Sequence, residues 1–330
     1  MIKACELEQI FHPRLRRRRT AERVHAVKGV TFDVAEGEIV SCLGPNGAGK
    51  TTTLRMLTTL LPPTSGQALV AGFDIATDSR QVRRNIGYVS QAGSTNAAAT
   101  ALDEVTDHGM LYGLSKKEAR HRAGALFEQL DLIGLEKRQC KSMSGGQRRR
   151  LDLAIGMVHD PRLLILDEPS VGLDPQSRAN LWEHIRRLRA DRRATVLLTT
   201  HYLDEADALS DRVIVIDDGR IIADDTPEAL KARYGEETLD MEVTDVTMVA
   251  GTVAAIRTLT ESGDDIRVDG CRVRAGVGHG KTNMQQLMRQ LEHAEVELRS
   301  VSIHSPTLDN VFLELTGRSL REDRSGSGAV

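Results

Sequence analysis

One segment constrains the fold of this chain more than any other: GPNGAGKTT at residues 44–52. It fits the pattern G-x-x-x-x-G-K-[ST], and it follows a strand-like run and precedes a helix-like run, as that pattern requires. The glycines let successive backbone N–H groups turn inward around a phosphate chain, and the dipole of the following helix adds partial positive charge. The sequence therefore predicts a phosphate-binding loop between a buried strand and a helix.

All residues of this loop are predicted to bind the cofactor. They are Gly44, Pro45, Asn46, Gly47, Ala48, Gly49, Lys50, Thr51 and Thr52. Lys50 is expected to reach the terminal phosphates, and the Thr51 hydroxyl is expected to bind Mg²⁺. The alternative is a glycine turn with an exposed lysine, which the flanking strand and helix disfavour.

Two adjacent carboxylates end a second strand-like run, LLILDEP at residues 163–169. Ligands gather at the carboxyl ends of strands in open α/β sheets, so Asp167 and Glu168 are expected beside the loop. Asp167 is predicted to hold magnesium directly or through water, and Glu168 to activate or orient the attacking water. Taken alone, the two acids fit solvated residues at a strand end equally well, but a nearby phosphate-binding loop disfavours that alternative.

Short apolar runs alternate with helix-like runs up to about residue 235. The runs RLLILDEP, RATVLLTTH and DRVIVIDDGRII are typical of buried strands. The helix-like runs include QSRANLWEHIRRLRA and KTTTLRMLTTLL, and the second is expected to stop at Pro62 and Pro63. This alternation predicts the α/β class, with a mainly parallel sheet between helices.

Residues 92–160 depart from this alternation and are predicted to form a helical insertion. Apolar residues there recur at the three-and-four spacing of one buried helix face, namely Ala119, Ala123, Leu126, Phe127, Leu130 and Ile133. The first domain, including this insertion, is predicted to span residues 1–236.

A second domain is predicted for residues 237–320. Its order is strand, helix, hairpin, helix, strand, which is the βαββαβ order of a small ferredoxin-like α+β domain. The hairpin is expected to turn on the pair Asp269-Gly270, because such a two-residue turn needs positive φ. The tail at residues 321–330 is predicted to be disordered.

Composition narrows the function classes. The formal net charge is −3, so no global charge draws the chain to nucleic acid. The four cysteines lie far apart, without the pairing of a zinc or redox site or the density of a disulfide-rich domain, and reduced cytosolic thiols are expected. No apolar run is long enough to cross a bilayer, so a function at a membrane would need another chain to span it.

The motifs along roughly residues 1–235 resemble those of the ATP-binding subunit of an ABC transporter. In the family's order they are the loop at 44–52, YVSQ ending at Gln91, SGGQ at 144–147, LDEP, VGLD ending at Asp174, and TTH ending at His201. The resemblance implies a P-loop NTPase fold with a RecA-like core, an antiparallel β subdomain and a helical subdomain. It also implies ATP and Mg²⁺ as cofactors.

The resemblance assigns roles to residues that mean little singly. Gln91 would sense magnesium and the attacking water while linking to the transmembrane partner, and His201 would contact the γ-phosphate. Asp174 would belong to a loop that crosses a dimer interface. A lone glutamine at a strand end is usually a surface residue and a lone histidine is usually structural, so these roles depend on the joint order of the motifs.

The SGGQ motif carries no acid, base or nucleophile, but it begins a helix and presents bare backbone amides. Its residues are Ser144, Gly145, Gly146 and Gln147. In the family this motif closes on ATP held by another subunit. The resemblance therefore implies a homodimer in the ATP-bound state, packed head to tail with two ATP molecules between the chains.

The segment SPTLDNVFLELTGRSLRE at residues 305–322 narrows the resemblance. It is similar to the ending of daunorubicin-resistance-type ATPases, which partner ABC-2 type permeases. The same segment fits an amphipathic helix that covers the small sheet with Leu308, Val311, Phe312 and Leu315. The two interpretations are compatible.

Some features depart from the family pattern. An aromatic residue usually stacks on adenine after the first strand, and Phe11 is nearest in pattern, with His12 and His25 as alternatives. Arginines at 14 and 16–19 would contact anionic lipid headgroups or form a solvated loop, which is the favoured interpretation. The segment at 91–114 is expected to face the permease but lacks the family's usual LTGREN pattern.

The sequence thus predicts an ATP-hydrolysing, energy-coupling subunit of an ABC exporter of drugs or hydrophobic secondary metabolites. It is expected on the cytoplasmic face of the cell membrane, peripheral, bound through an ABC-2 type permease, with no nucleic-acid partner. The alternatives are a soluble ABC ATPase acting on a ribosome or DNA, and an ABC importer subunit. The soluble type usually carries two such domains or long coiled coils, and the importer differs only in its partner.

Overall fold

The computed structural model describes residues 1–12, 23–192, 194–235, 237–257, 266–277 and 284–317. They form two compact units, the first ending at Pro227 and the second beginning at Glu228. The predicted domain boundary lies after residue 236 instead, so the short helix Pro227–Tyr234, predicted for the first domain, groups almost entirely with the second unit. The arginines at 14 and 16–19 and the predicted tail lie outside the described residues.

The two units are built from the following helices and strands. The strands of the first unit are β1 (Ile2–Phe11), β2 (Val24–Val34), β3 (Ile39–Leu43), β4 (Ser65–Val70), β5 (Phe73–Asp74), β6 (Ile86–Val89), β7 (Leu163–Asp167), β8 (Thr195–Thr200), β9 (Arg212–Asp217) and β10 (Arg220–Asp225). Its helices are α1 (Lys50–Leu57), α2 (Ser79–Asn85), α3 (Ala101–Leu111), α4 (Lys116–Gln129), α5 (Gly145–Met157), α6 (Pro175–Arg192) and α7 (Leu203–Leu209). The rest of the chain forms α8 (Pro227–Tyr234), β11 (Glu237–Val243), α9 (Val249–Arg257), β12 (Ile266–Asp269), β13 (Arg272–Val277), α10 (Met284–His293), β14 (Leu298–His304) and α11 (Leu308–Thr316). No helix within the described ranges is both long enough and apolar enough to cross a bilayer.

A six-stranded sheet forms the centre of the first unit, in the order β10-β9-β3-β8-β7-β6. Neighbouring strands from β9 to β6 pair in parallel, and β10 pairs antiparallel with β9. Every residue of β3, β7 and β8 is buried, as expected of short apolar strands covered on both faces. The predicted α/β class with a mainly parallel sheet is confirmed.

Two apolar clusters cover the two faces of this sheet. On one face, residues such as Val40 pack with Ile2 and others of an antiparallel sheet ordered β2-β1-β4-β5. On the other face, residues such as Leu166 pack with Phe127 of α4 and Ile185 of α6. The alternation of β7 side chains between the clusters fixes the sheet between a β layer and a helical layer.

Helices α3, α4 and α5 fill the segment predicted as a helical insertion. Five of the six residues predicted to share a buried helix face are buried, namely Ala119, Ala123, Leu126, Phe127 and Leu130. The prediction for Ile133 is wrong, because its side chain is 68% exposed and Leu132 is buried instead. The helical spacing no longer applies there, since α4 ends at Gln129 and Asp131 has a positive φ of 51°.

Helix α1 is shorter than predicted. It ends at Leu57, and Thr59 then takes a positive φ of 60°. The backbone therefore leaves the helix before Pro62 and Pro63 are reached. The two prolines follow the turn and do not end the helix.

The second unit contains a four-stranded antiparallel sheet in the order β12-β13-β11-β14. Apolar residues of β11 and β13 pack with α9 and α10. The hairpin closes on the pair Asp269 and Arg272, so its central residues are Gly270 and Cys271. The predicted turn pair is wrong by one residue, and Gly270 supplies the left-handed backbone, with φ 58°, at the first central position.

Helix α11 starts with a capping box between Thr307 and Asn310. Leu308, Val311 and Phe312 of this helix are buried. They are not members of the described apolar cluster between the small sheet, α9 and α10. The prediction that these three residues and Leu315 cover the small sheet stays a prediction.

Candidate functional site

The predicted phosphate-binding loop connects β3 to α1. Gly49 directly precedes α1 with φ 103°, a conformation that disfavours any side chain. A Cβ on Gly44 would lie 2.1 Å from the carbonyl oxygen of Ile216 in β9, so the close approach of this neighbouring strand requires glycine. The unpaired N–H groups of the first helical turn follow the loop directly, and this arrangement suits phosphate.

Lys50 is the first residue of α1, and its side chain is buried. Its Nζ atom donates to the carbonyl oxygens of Gly44 (2.7 Å) and Pro45 (2.9 Å) and lies 3.6 Å from Oε1 of Glu168. Burial lowers the pKa of Lys50, and the charges of Glu168 and Asp167 oppose that effect. The ammonium group is thus held at the loop, beside the predicted catalytic carboxylate.

Strand β7 brings Asp167 next to the loop. The Thr51 hydroxyl donates to Oδ1 of Asp167 (2.9 Å), and the Thr199 hydroxyl in β8 donates to the same oxygen (2.7 Å). Asp167 is buried. A hydroxyl and a carboxylate at this separation provide the oxygen donors that Mg²⁺ prefers.

Glu168 has an unusual backbone conformation. Its φ is 46°, in the left-handed region that residues with side chains rarely adopt. Its N–H donates to the carbonyl oxygen (3.1 Å) and to the hydroxyl (3.0 Å) of Thr199. Strained backbone of this kind clusters at functional sites. The hydrogen bonds of Thr199 thus hold the Asp167 side chain and the Glu168 backbone in place.

Three predicted site residues surround the Glu168 carboxylate. Oε2 accepts a hydrogen bond from Nε2 of Gln91 (3.0 Å), while Oε1 lies 3.3 Å from Nδ1 of His201 and 3.6 Å from Nζ of Lys50. Burial raises the pKa of Glu168, but the contact with His201 and the charge of Lys50 outweigh burial and hold this pKa below the ordinary carboxyl value. Glu168 is therefore ionised at neutral pH, as a general base has to be.

A cavity of about 350 Å³ opens beside these residues. Its described lining consists of Ala26, Asn46, Gly47, Gly49, Lys50, Thr51, Thr52, Gln91 and Glu168. Backbone amides, an ammonium group and hydroxyls suit a phosphate chain, while an amide and a carboxylate suit a water molecule that attacks it. The cavity can therefore hold a phosphorylated ligand next to the Glu168 carboxylate.

The predicted second phosphate clamp lies at the start of α5. The Ser144 hydroxyl accepts from the Gln147 N–H (3.3 Å), and the Gln147 side chain accepts from the Ser144 N–H (3.0 Å). A Cβ on Gly146 would lie 2.7 Å from Oγ of Ser177 in α6. Asp174 accepts from the N–H (2.9 Å) and the hydroxyl (2.6 Å) of the same Ser177. Residues 144–147 and Asp174 thus form one polar group at the starts of two helices.

This polar group is separate from the cavity at the phosphate-binding loop. The lining that the structure describes includes neither residues 144–147 nor Asp174. Ser144 and Gly145 are exposed to solvent. Within one chain, the two predicted phosphate clamps do not line the same described cavity.

The three candidates for the adenine contact lie on or beside β1 and β2. Phe11 ends β1 and is 40% exposed, and His12 follows it. Nε2 of His25 lies 2.7 Å from Oε1 of Glu8. None of these three lines the described part of the cavity, whereas Ala26 does. The adenine contact stays a prediction.

Two residues that sequence reasoning did not select contribute to the site. Thr199 bonds to both acidic residues, and a threonine within the apolar run TVLLTT is a signal that could have found it. Arg149 donates to backbone carbonyls on both sides of Glu168. It is the middle one of three consecutive arginines at 148–150, so the sequence has no feature that singles it out.

The part of the chain that forms this site matches a known protein family. Residues 27–171 match the family model described as ABC transporter. That range contains the phosphate-binding loop, Gln91, the SGGQ motif and both acidic residues at the end of β7.

Curated relatives match along most of the chain. A daunorubicin resistance ATP-binding protein, DrrA2, of Streptomyces coeruleorubidus is 41% identical over 292 residues, which cover 88% of this chain and 90% of the relative. A doxorubicin resistance ATP-binding protein, DrrA, of Mycobacterium tuberculosis is 39% identical over 296 residues, which cover 89% of each. A linearmycin resistance ATP-binding protein, LnrL, of Bacillus subtilis is 35% identical over 298 residues, which cover 90% of this chain and 95% of the relative.

Solved structures share the fold of a large part of the chain. A dimeric ATP-binding cassette in a post-hydrolysis state, bound to ADP and Pi, matches with a TM-score of 0.61 and 26% identity, over 68% of this chain and 98% of that one. The structure of cbiO1 from Clostridium perfringens, part of an ABC transporter complex, matches with a TM-score of 0.62 and 26% identity. The match covers 70% of this chain and 90% of that one. The predicted P-loop NTPase fold is confirmed.

Proposed function

Because the chain belongs to the ABC transporter family, as an ATP-binding subunit of the daunorubicin-resistance type, we propose that it powers the export of drugs or hydrophobic secondary metabolites through a separate membrane protein. It is an ATPase subunit. The resistance names of its relatives support an antibiotic-like cargo. They do not favour a soluble role on a ribosome or DNA, or a role in import.

ATP binds with its phosphates on the loop at residues 44–52, where backbone N–H groups and Lys50 neutralise them. Thr51 and Asp167 would hold Mg²⁺, with Gln91 as a further oxygen donor. The oxygen atoms that Thr51 and Asp167 bring within 2.9 Å of each other support this assignment. When bound, the ion supplies positive charge to the phosphate oxygens.

Glu168 is the general base of hydrolysis. Its carboxylate accepts the proton of the attacking water, and Gln91, which donates to the same carboxylate at 3.0 Å, orients that water. His201, beside Oε1 of Glu168, is the proposed contact of the γ-phosphate. The lowered pKa keeps the Glu168 carboxylate ionised at neutral pH, which a proton acceptor requires, and its place beside Gln91 and the phosphate-binding loop supports the assignment as base.

Two copies of the chain form the complete site. In this proposal, Ser144, Gly145, Gly146 and Gln147 of one copy close on the ATP held by the other, and Asp174 lies at the interface. The exposure of Ser144 and Gly145 at the start of α5 and the dimeric cassette with ADP and Pi among the similar structures support this arrangement. The separation of these residues from the cavity of their own chain agrees with it.

The membrane partner is an ABC-2 type permease, and the chain lies at the cytoplasmic face, held there through that partner. The second unit is a ferredoxin-like domain that contributes to dimer stability or to permease docking. Its βαββαβ order and its sheet order β12-β13-β11-β14 support the ferredoxin-like assignment. Its ending, residues 305–322, supports the ABC-2 assignment through its likeness to daunorubicin-resistance-type ATPases.

One observation carries the proposal: the Glu168 carboxylate lies within 3.6 Å of Gln91, His201 and Lys50, beside a phosphate-binding loop. Glu168→Gln is expected to lower the rate of ATP hydrolysis by about 10²- to 10⁴-fold. ATP binding should persist, and the variant should accumulate as an ATP-loaded dimer. Hydrolysis is measured by phosphate release and the dimer by light scattering.

The matched control is Glu118→Gln, which neutralises an exposed carboxylate on α4 that pairs with Arg122. This control should hydrolyse ATP at the native rate. A Glu168→Gln variant that also hydrolysed ATP at the native rate would show that another group is the base.

A further inference from the structure

Helix α5 carries two charged side chains, Arg149 and Asp152, that are almost completely buried. They are 7% and 3% exposed, and Nη1 of Arg149 lies 3.8 Å from Oδ2 of Asp152. Burying charged groups costs free energy unless hydrogen bonds compensate for the lost water. The hydrogen bonds of both side chains go to the segments that carry the proposed catalytic residues.

The Arg149 guanidinium donates to three backbone carbonyls. Nη1 donates to Ser90 (2.7 Å), Nη2 to Asp167 (3.2 Å), and Nε to Pro169 (2.8 Å). Ser90 directly precedes Gln91 in the chain, and the other two acceptors are the chain neighbours of the proposed general base. One rigid cation thus joins the backbones of both catalytic segments.

Asp152 binds the segment that carries Gln91, on the C-terminal side of that residue. Its Oδ1 accepts from the Ser94 N–H (3.2 Å), and a Cβ on Gly93 would lie 3.0 Å from its Oδ2. The Gly93 N–H donates to the Ser90 carbonyl (3.1 Å), which closes the segment into a turn. Arg149 and Asp152, one helical turn apart, therefore bind both ends of the turn that carries Gln91.

From these contacts we infer that Arg149 is a positioning residue for hydrolysis: it fixes the backbones of Gln91 and Glu168 so that their side chains meet at 3.0 Å. This inference rests on the proposed function, because it takes Glu168 as the base. It also has a consequence for coupling between subunits. Helix α5 begins with the proposed clamp on the partner's ATP, so a shift of α5 on dimer closure reaches both catalytic side chains through one guanidinium.

The test compares Arg149→Lys and Arg149→Met in the full-length chain. Lysine keeps the charge but lacks the planar fork that reaches several acceptors at once. We expect the kcat of Arg149→Lys to fall by about 10²-fold, since a small misplacement of catalytic groups costs that much, while the KM for ATP changes little. Methionine leaves the carbonyls unpaired and should lower both kcat and Tm. If the methionine variant does not fold, the lysine variant decides the question.

Arg212→Lys is the matched control for a purely structural arginine. Arg212 begins β9, at the opposite end of the parallel strands from the phosphate-binding loop. It donates to the side chains of Asp224 and Glu38 and to the carbonyl of Asp33. Its replacement should lower Tm without changing kcat. If Arg149→Lys lost activity only in proportion to a loss of Tm, with the KM for ATP rising as ATP affinity falls, its role would be structural.

A double-mutant cycle with Gln91→Ala supplies a readout that a structural role would not move. Because Arg149 is inferred to act through Gln91 and Glu168, the effects of Arg149→Lys and Gln91→Ala on kcat should not add. Additive effects, or a native kcat in Arg149→Lys beside an inactive Glu168→Gln, would overturn this inference alone. A native rate in Glu168→Gln would overturn the proposed function itself, whatever the Arg149 variants do.

Discussion

Ser144 has a structural contact as well as a proposed ligand contact. Its hydroxyl oxygen accepts from the Gln147 N–H and so caps α5, which leaves the O–H free to donate to a phosphate oxygen. An N-cap serine contributes about 1 kcal/mol to the stability of its helix. A substitution that cannot cap would therefore mix helix destabilisation with the loss of a ligand contact.

Ser144→Asp is predicted to separate these two effects. Aspartate caps a helix about as well as serine, so Tm should stay close to the native value. Its carboxylate would repel the triphosphate of the partner subunit, and we expect ATP-dependent dimerisation to be lost and turnover to fall by at least about 10²-fold. ATP binding by the single chain should persist. Thermal unfolding, light scattering, phosphate release and an ATP titration measure these four quantities.

Ser144→Asn is the control, because asparagine also caps the helix but is neutral and can donate a hydrogen bond. It should retain most of the dimerisation and turnover. The head-to-tail arrangement would be contradicted by a Ser144→Asp variant that dimerises with ATP and turns over like Ser144→Asn.

The residues of the site were predictable where the local chain sets their chemistry. Lys50 and Thr51 follow from one loop, and Asp167 and Glu168 from one strand end, and the structure brings these four side chains together. Arg149 could not be predicted in this way. Its carbonyl partners lie 59, 18 and 20 residues away along the chain, so only the tertiary fold distinguishes it from its neighbouring arginines.

At the scale of elements, a buried carboxylate connects α7 to α6 and to the end of β7. Oε1 of Glu205 in α7 accepts from Nε1 of Trp182 (3.0 Å) in α6 and from the hydroxyl of Ser170. Ser170 follows the end of β7, and α7 follows His201 in the chain. Burial raises the pKa of Glu205, and its hydrogen bonds only partly oppose this. Glu205 therefore helps to position α6, α7 and the segment after β7. The free energy of burying its carboxylate depends on pH.

The raised pKa predicts the sign of that dependence. The folded state keeps the Glu205 proton to a higher pH than the unfolded state, so the contribution of this group to stability is full at low pH. It declines as the pH rises from the ordinary carboxyl pKa to the folded pKa, by about 1.4 kcal/mol for each pH unit in that window. Glu205→Gln is neutral throughout, so it should lose less stability than the native chain as the pH rises above the ordinary carboxyl pKa. Thermal unfolding across that range measures the difference.

Glu183→Gln provides the comparison, because Glu183 is a half-exposed carboxylate on α6 that pairs with Arg187. Its pH profile of Tm should follow the native one. A Glu205→Gln profile parallel to the native profile would mean that Glu205 titrates alike in the folded and unfolded chains.

Element types were predictable from periodicity, whereas element ends were not. The fully buried β3, β7 and β8 were apparent as short apolar runs, because strands covered on both faces need no polar side chains. The end of α4 was not, because Ile133 continues the apolar spacing after the backbone has left the helix. The hairpin turn differed by one residue because its register is set by strand pairing across β12 and β13.

At the scale of the whole molecule, each unit has its own apolar core. The two clusters of the first unit draw on residues 1–221, and the described cluster of the second draws on residues 239–298. A unit with its own core can fold by itself. Because the described cavity lining also lies within the first unit, ATP binding and complex assembly can be separated by shortening the chain.

A chain truncated after Pro227 is predicted to keep its affinity for ATP but to assemble at least about tenfold more weakly with its permease, a loss of about 1.4 kcal/mol. The cut is placed there because α8 groups with the second unit, and Leu230 of α8 is buried, so a cut after residue 236 would strand an apolar side chain. An ATP titration and co-purification with the permease measure the two affinities, with a chain lacking only residues 318–330 as the control. Unchanged assembly would remove the second unit from the proposed docking role, and a loss of ATP affinity would show that the first unit needs the second to form its site.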